Sequence, residues 1–422
     1  MPASEPRERA PMATEQTFVI VGAGLAGAKA AQTLREEGFA GRIVLIGAET
    51  ERPYERPPLS KGYLLGKEER AKIYVHDEGW YGENAVELLS GRRVTRLDRS
   101  ARQVELDDGG RLAYDKLLLA TGSSPRRLDL LGADLEGVHY LRTVADSERL
   151  RDALRGGGRV VVVGAGWIGL ETAAAAWEHG CEVTVVEPRP VPLEAALGPE
   201  MGAFFADVHR GHGVEVRLGL AVAGFIGDKH VRAVAVDGGD QIPADAVVVG
   251  VGARPETGIA ERAGLTVGNG VRVDAALRTS DPSVYAAGDV AEAFHPRFGT
   301  HIRVEHWANA LNGGPAAARS MLGQEVVYDR LPYFYTDQYD VGMEFSGWFV
   351  PGGYDEVVVR GDLRARDFHA FWLAGGHVVA GMHVNRWDEG VAPVQELIRM
   401  AAPVDRDRLA DPAVPLPDLA KL

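Results

Sequence analysis

An α/β fold with two Rossmann-like domains and an α+β C-terminal domain is predicted by three features of this 422-residue chain. Gly-x-Gly-x-x-Gly occurs twice, over Gly22-Ala23-Gly24-Leu25-Ala26-Gly27 and Gly164-Ala165-Gly166-Trp167-Ile168-Gly169. Each copy is entered from a β-branched run (Val19 to Val21, Val160 to Val163) and left through an Ala-rich stretch of helical character. Each is followed by a further apolar strand and then an acid, Glu49 in the first copy and Glu187 in the second. The chemistry asks for this order. The first glycine allows the tight turn, the second lets backbone approach a pyrophosphate, and the third lets helix and strand pack closely. A single match in a chain with 52 glycines is weak, whereas two in this context are strong. Two nucleotide sites on one chain point to one held flavin and one exchanging nicotinamide.

Composition narrows the class. The length calls for two or three domains, and 45% hydrophobic with 25% charged residues is the balance of a soluble globular protein. No apolar run reaches the length of a membrane span, so no membrane partner is expected. Met1 to Glu15 is polar, reads as a disordered tail rather than a signal peptide, and leads to a cytoplasmic expectation. A net charge of −14 argues against a nucleic-acid partner. The one cysteine, Cys181, reads as a small core residue; an intrachain disulfide relay is excluded, and no metal site is expected.

Along the chain, Phe18 to Val21 forms a strand, Ala26 to Glu37 a helix and Arg42 to Ile46 a second strand. Arg52-Pro53-Tyr54-Glu55-Arg56-Pro57-Pro58-Leu59-Ser60-Lys61 is too proline-rich for a strand or helix interior and reads as a stiff loop opening a helix near Leu59. A β excursion follows around Arg92 to Leu97 and Gln103 to Leu106, with a turn at Asp107-Asp108-Gly109-Gly110. A buried strand then ends at Ala120-Thr121-Gly122. The second unit runs from Arg159 through a helix over Gly169 to His179 to the strand ending at Glu187. Ala244 to Arg254 and Ser283 to Val290 echo the end of the first unit, so the second domain reads as an insertion. The expected domains are 1–15 (tail), 16–141 with 253–330 (flavin), 142–252 (nicotinamide) and 331–422 (C-terminal). In the last, Tyr333 to Tyr339 and Phe368 to Leu373 read as strands, Pro393 to Met400 as a helix, and the final dozen residues as loosely attached.

Together, Gly22-x-Gly24-Leu25-Ala26-Gly27, Tyr54 to Lys61, Ala120-Thr121-Gly122, Gly164 to Glu171 and Tyr285-Ala286-Ala287-Gly288-Asp289 resemble the FAD-dependent ferredoxin reductases of bacterial oxygenase systems. That group includes putidaredoxin, rubredoxin and aromatic-dioxygenase reductases, and apoptosis-inducing factor is a more distant relative. The resemblance spans Phe18 to Met400 and implies a glutathione-reductase-like fold. It implies an enzyme that passes electrons from NADH through FAD to a small 2Fe–2S or related ferredoxin feeding an oxygenase, acting as a monomer or weak dimer. The alternative it leaves is a slow, NADH-responsive flavoprotein with a signalling role, like apoptosis-inducing factor.

The resemblance also implies site residues. Lys61 reaches the flavin ring, Glu305 meets the nicotinamide carboxamide, and Trp307 lies by the flavin. The FAD set is Gly22, Ala23, Gly24, Gly27, Glu49, Arg56, Lys61, Val94, Ala120, Thr121, Gly122, Arg142, Gly288, Asp289 and Trp307. The NAD set is Gly164, Gly166, Trp167, Ile168, Gly169, Glu187, Gly252 and Glu305. By position alone, Glu187 suits the adenine ribose hydroxyls of NADH and repels a 2′-phosphate; Arg189 weakens that preference, and a solvated strand-end acid is the competing reading. Many members of the family carry Asp-Glu where this chain has Ala48-Glu49. His306 divides between a site role and an ordinary satisfied side chain, and Phe334 between core packing and closure over the flavin edge. Arg360, Arg364 and Arg366 read as a solvated basic face, with ferredoxin docking as the second reading.

Overall fold

The computed structural model describes residues 15–419, and the expected tail lies outside them except for Glu15. Thr17–Val21 is the central strand of a parallel five-stranded sheet, flanked by Arg42–Gly47 and Val86–Ser90 on one side and by Lys116–Leu119 and Val284–Ala286 on the other. Val19, Ile20, Val44, Leu45, Leu117 and Leu118 are fully buried, as parallel strands covered on both faces must be. The helices Leu25–Glu36 and Trp307–Met321 lie in backbone contact, because a Cβ on Gly314 would come 2.2 Å from the Ala26 carbonyl oxygen.

A second parallel sheet repeats the plan in the order Glu215–Leu218, Glu182–Glu187, Arg159–Val163, Ala246–Val249, Val138–His139. Its last strand, Val138–His139, comes from chain ahead of the expected boundary at 141. The two chain crossings between the sheets run side by side, Ser123–Pro125 antiparallel to Ala253–Pro255.

The C-terminal domain is an antiparallel five-stranded sheet in the order Tyr333–Gln338, Val341–Gly347, His377–Val384, Asp367–Ala374, Glu356–Asp362. Side chains alternate across the fourth strand. Phe368, Ala370 and Trp372 join the core of the second nucleotide unit, while Phe371 and Leu373 face the helix Ala392–Met400 and the chain end. Trp372 Nε1 donates to the Leu197 carbonyl at 3.0 Å, so this sheet is bonded to the second unit as well as packed on it.

The chain end is not loose. Leu409, Leu416 and Leu419 are buried, and Arg360, only 2% exposed, donates to the carbonyls of Leu409, Asp411, Pro412 and Val414 at 2.6–3.4 Å. The prolines there remove backbone N–H groups, and the carbonyls they leave are gathered by one guanidinium. Arg360 therefore belongs to no basic face; Arg366 pairs with Asp340, and Arg364 alone of the three is exposed. Arg360→Met is expected to destabilise the protein by about 3 kcal/mol, because buried acceptors lose a charged donor. Limited proteolysis should then cut after Ala401 at a urea concentration that leaves the parent chain intact.

Candidate active site

The two glycine turns meet the demands of a bound pyrophosphate position by position. Gly22 sits at φ +117°, with a Cβ there falling 2.0 Å from the Ala120 carbonyl oxygen, and a Cβ on Gly27 would fall 2.0 Å from the Gly22 carbonyl. A Cβ on Gly24, between them, would meet nothing within 4 Å. The second turn repeats this: Gly164 at φ +95° is 2.4 Å from Gly250 O, Gly169 is 2.1 Å from Gly164 O, and Gly166 is no nearer than 4.0 Å to anything. Outer glycines are thus required by the fold, while the middle one opens onto free space in front of a helix N-terminus. Neither helix has a side-chain cap, which leaves its first N–H groups for an anion. The residues present fit FAD and NADH. Ala23 packs on the end of the second strand, where a Gly47 Cβ would come 2.6 Å from its own, and Gly122 turns at φ +68° after Thr121, whose hydroxyl donates to Glu256 O at 2.8 Å.

Glu187 is buried, not solvated. Its carboxylate accepts from Ala165 N at 2.7 Å and Arg189 N at 3.0 Å, which locks it beside the second glycine turn. The Arg189 guanidinium turns away to Glu194. Glu187→Ser is expected to weaken NADH binding about tenfold and to narrow the preference over NADPH, since one charged acceptor is lost and the repulsion of a 2′-phosphate with it. Titration calorimetry with both nucleotides checks this.

In the first unit, Glu49 pairs with Arg56 at 2.8 Å and accepts from Tyr54 OH at 2.5 Å. Burial pushes the Tyr54 phenol well above its usual pKa. Arg56 also donates to the Arg142 carbonyl, so the proline loop is stapled to the chain leaving this unit. Arg142 in turn pairs with Asp289 at 3.2 Å, and Ser123 Oγ donates to the same Asp289 oxygen at 2.9 Å. Gly288 positions Asp289 from φ +77°, close against Ala26 of the first fingerprint helix. The Val94 side chain is buried in the core of this unit, leaving only its main chain for a ligand. Gly252, at φ +105°, lies where the chain returns between the sheets, beside Arg126.

Lys61 meets Glu171 at 2.7 Å, and Ser60 Oγ donates to the other carboxylate oxygen at 2.5 Å. The proline loop of one nucleotide unit thereby closes on the fingerprint helix of the other. Trp307 Nε1 donates to Glu55 at 3.1 Å, and the indole stands edge-on to Tyr335. Gly288 and Trp307 also contribute to the wall of a cavity of about 350 Å³, whose other lining residues, His295, Tyr328, Tyr333 and Arg399 among them, belong to neither expected nucleotide set. Glu305 is exposed and pairs with Arg303. His306 stacks on Phe334 at 4.5 Å, and burial lowers its pKa to about 4. Phe334 is itself wedged between His306, Phe345 and Trp167. Trp167 packs on Phe205 and Phe334, so its ring serves the domain contact, whereas Ile168 is 43% exposed at the head of the same helix.

Sequence reasoning gave no role to Glu171, Glu55, Ser123 or Thr336. Glu171 did carry a signal: an acid two residues past a fingerprint, with Leu170 before it and a Thr-Ala run after it, must find a buried partner.

Two parallel sheets, each with an open glycine turn and a paired or hydrogen-bonded acid just past the next strand's apolar run, joined by the Lys61–Glu171 pair, define an oxidoreductase that works with FAD and a nicotinamide dinucleotide. The chain belongs to the pyridine nucleotide-disulphide oxidoreductase family, whose model matches residues 16–314, and a reductase C-terminal model matches residues 333–420. Its lone cysteine is buried, so no intrachain disulfide accompanies the fold. The chain is 42% identical over 406 residues to the ferredoxin–NAD(+) reductase component of the anthranilate 1,2-dioxygenase system of Burkholderia cepacia, covering 94% of this chain and 98% of that one. It is 37% identical to putidaredoxin reductase of Pseudomonas putida over 97% of each. Among solved structures, the covalent putidaredoxin reductase–putidaredoxin complex superposes with a TM-score of 0.93 at 37% identity, over 97% of this chain and 99% of that chain. The ferredoxin reductase for the CYP199A2 system of Rhodopseudomonas palustris gives 0.92 at 37% identity, over 96% and 100%.

Proposed function

We propose that this protein is an FAD-dependent NADH:ferredoxin reductase that supplies a small iron–sulfur protein, and through it an oxygenase. The observation that carries the reading is full-length similarity, through the C-terminal domain, to reductases named for oxygenase systems, joined to two open nucleotide turns and the absence of a second cysteine. FAD, when bound, supplies the step from a hydride donor to a one-electron acceptor. The protein's part is to hold and tune. The Gly22 and Gly164 turns offer helix N-termini to the two pyrophosphates, Glu187 selects NADH, and Arg56–Glu49 and Arg142–Asp289 fix the edges of the FAD site. Lys61 places a positive charge where the reduced ring gains electrons, and Glu305 and Trp307 border the nicotinamide. We place the enzyme in the cytoplasm as a monomer or weak dimer. Among the described residues no helix is long and apolar enough to cross a membrane.

Anaerobic stopped-flow mixing of the FAD-loaded protein with NADH, followed by a ferredoxin, tests this. Rapid bleaching by NADH and rapid reoxidation by the ferredoxin are expected. A persistent long-wavelength band that no ferredoxin discharges would overturn the reading.

A further inference from the structure

The Lys61–Glu171 pair is one end of a longer buried chain. Thr336 Oγ1 lies 2.6 Å from Glu171 Oε1, Gln338 Nε2 lies 3.2 Å from Thr336 Oγ1, His209 Nε2 lies 2.9 Å from Gln338 Oε1, and Tyr339 OH lies 2.9 Å from His209 Nδ1. Thr336 and Gln338 are 1% exposed and His209 is fully buried. The members come from separate parts of the molecule. His209 is on the helix Glu194–Gly211 of the second nucleotide unit, and Thr336 and Gln338 are on the first strand of the C-terminal sheet. The chain ends on the proline-loop lysine of the first unit.

Its polarity follows from one charge. A carboxylate only accepts, so the Thr336 hydroxyl donates to it and its oxygen must accept from the Gln338 amide nitrogen. The amide oxygen then faces His209, whose Nε2 must carry the hydrogen, and the bare Nδ1 accepts from Tyr339. Every donor points toward Glu171. Burial keeps His209 neutral by lowering its pKa to about 4, which preserves that tautomer. The outer end is anchored too: Tyr339 occupies φ +56° in the two-residue turn between Gln338 and Val341, and its ring stacks on His212 at 3.8 Å.

We propose that Thr336, Gln338, His209 and Tyr339 are positioning residues for Lys61, a one-directional hydrogen-bond chain that sets how strongly Glu171 holds the lysine. The inference rests on the reading that Lys61 serves the flavin. With the Thr336 donor in place, part of the carboxylate's charge is met by the chain and Lys61 keeps more of its field for the ring. Without it, Glu171 Oε1 is left to Lys61 alone, with Ser60 on the other oxygen, so more of the lysine's field is spent on the carboxylate and reduced flavin loses stabilisation. The packing of the second nucleotide unit against the C-terminal sheet is thereby transmitted to the flavin site.

The test compares Thr336→Val, Thr336→Ser, Gln338→Leu and Lys61→Met in FAD-loaded protein, by equilibrium titration of the flavin against a reference dye. Thr336→Val and Gln338→Leu are expected to shift the equilibrium toward oxidised flavin, Thr336→Val by about tenfold, with Thr336→Ser restoring it. Lys61→Met should shift it further in the same direction. A shift in Lys61→Met with none in Thr336→Val and Gln338→Leu overturns the positioning role and leaves the lysine's. No shift in Lys61→Met overturns both. In the FAD-free protein, nitrogen-15 spectra should show His209, assigned by its loss in His209→Gln, as the Nε2–H tautomer; an Nδ1–H tautomer would overturn the chain's direction.

Discussion

Gly24→Ala should leave the FAD-free protein as stable as the parent and weaken FAD binding by about a hundredfold, the loss expected when two or three charge-assisted hydrogen bonds to a pyrophosphate are pushed out of reach. The added Cβ meets no atom of the folded chain within 4 Å, so its only collision is with what binds there. Gly22→Ala should do the reverse. At φ +117°, with the Ala120 carbonyl oxygen 2.0 Å from the new atom, it strains the turn itself and is expected to cost about 3 kcal/mol of stability before any ligand is added. Gly166→Ala extends the contrast: FAD content stays normal while NADH affinity falls. Thermal melts of the FAD-free protein and fluorescence titration with FAD separate the cases. Parent-like FAD affinity in Gly24→Ala would mean that the pyrophosphate does not cross this turn.

That contrast also explains what could be read from the sequence and what could not. The glycine turns were legible because their constraint is local: a strand, a turn with positive φ and a helix lie within a dozen residues. The C-terminal sheet was half legible. Strands such as Glu356–Asp362 and His377–Val384 lie in a sheet buried on both faces, so they lack the alternation that marks a half-exposed strand. The chain end misled for a related reason. Proline richness is a local cue to looseness, but the side chain that holds this segment, Arg360, lies about 50 residues upstream. The resemblance of its loop singles out Lys61, whereas its partner Glu171 lies 110 residues away and meets it only where the two nucleotide units pack together. Residues whose role is a long-range pairing leave a residue type in the sequence and not a pattern.

Glu171→Ala is expected to destabilise the protein by about 3–5 kcal/mol, the usual result of removing one partner from a buried ion pair. The carboxylate is 5% exposed and Lys61 16%, and the substitution strands Lys61, Ser60 and Thr336 together. Lys61→Met should cost less, because Glu171 keeps the Ser60 and Thr336 donors. Replacing both, as Lys61→Met with Glu171→Leu, should recover much of the loss, since a well-packed apolar pair avoids the desolvation of two charges. Urea denaturation of the parent, Lys61→Met, Glu171→Leu and the double variant gives the coupling between the two residues. A change of less than about 0.5 kcal/mol in Glu171→Ala would put the pair in the class of solvated surface contacts. The double variant then separates stability from chemistry. If it regains stability while its flavin is reduced by NADH more slowly than in the parent, the charges are kept for the flavin site and not for the fold. Folding alone would be served as well by methionine and leucine.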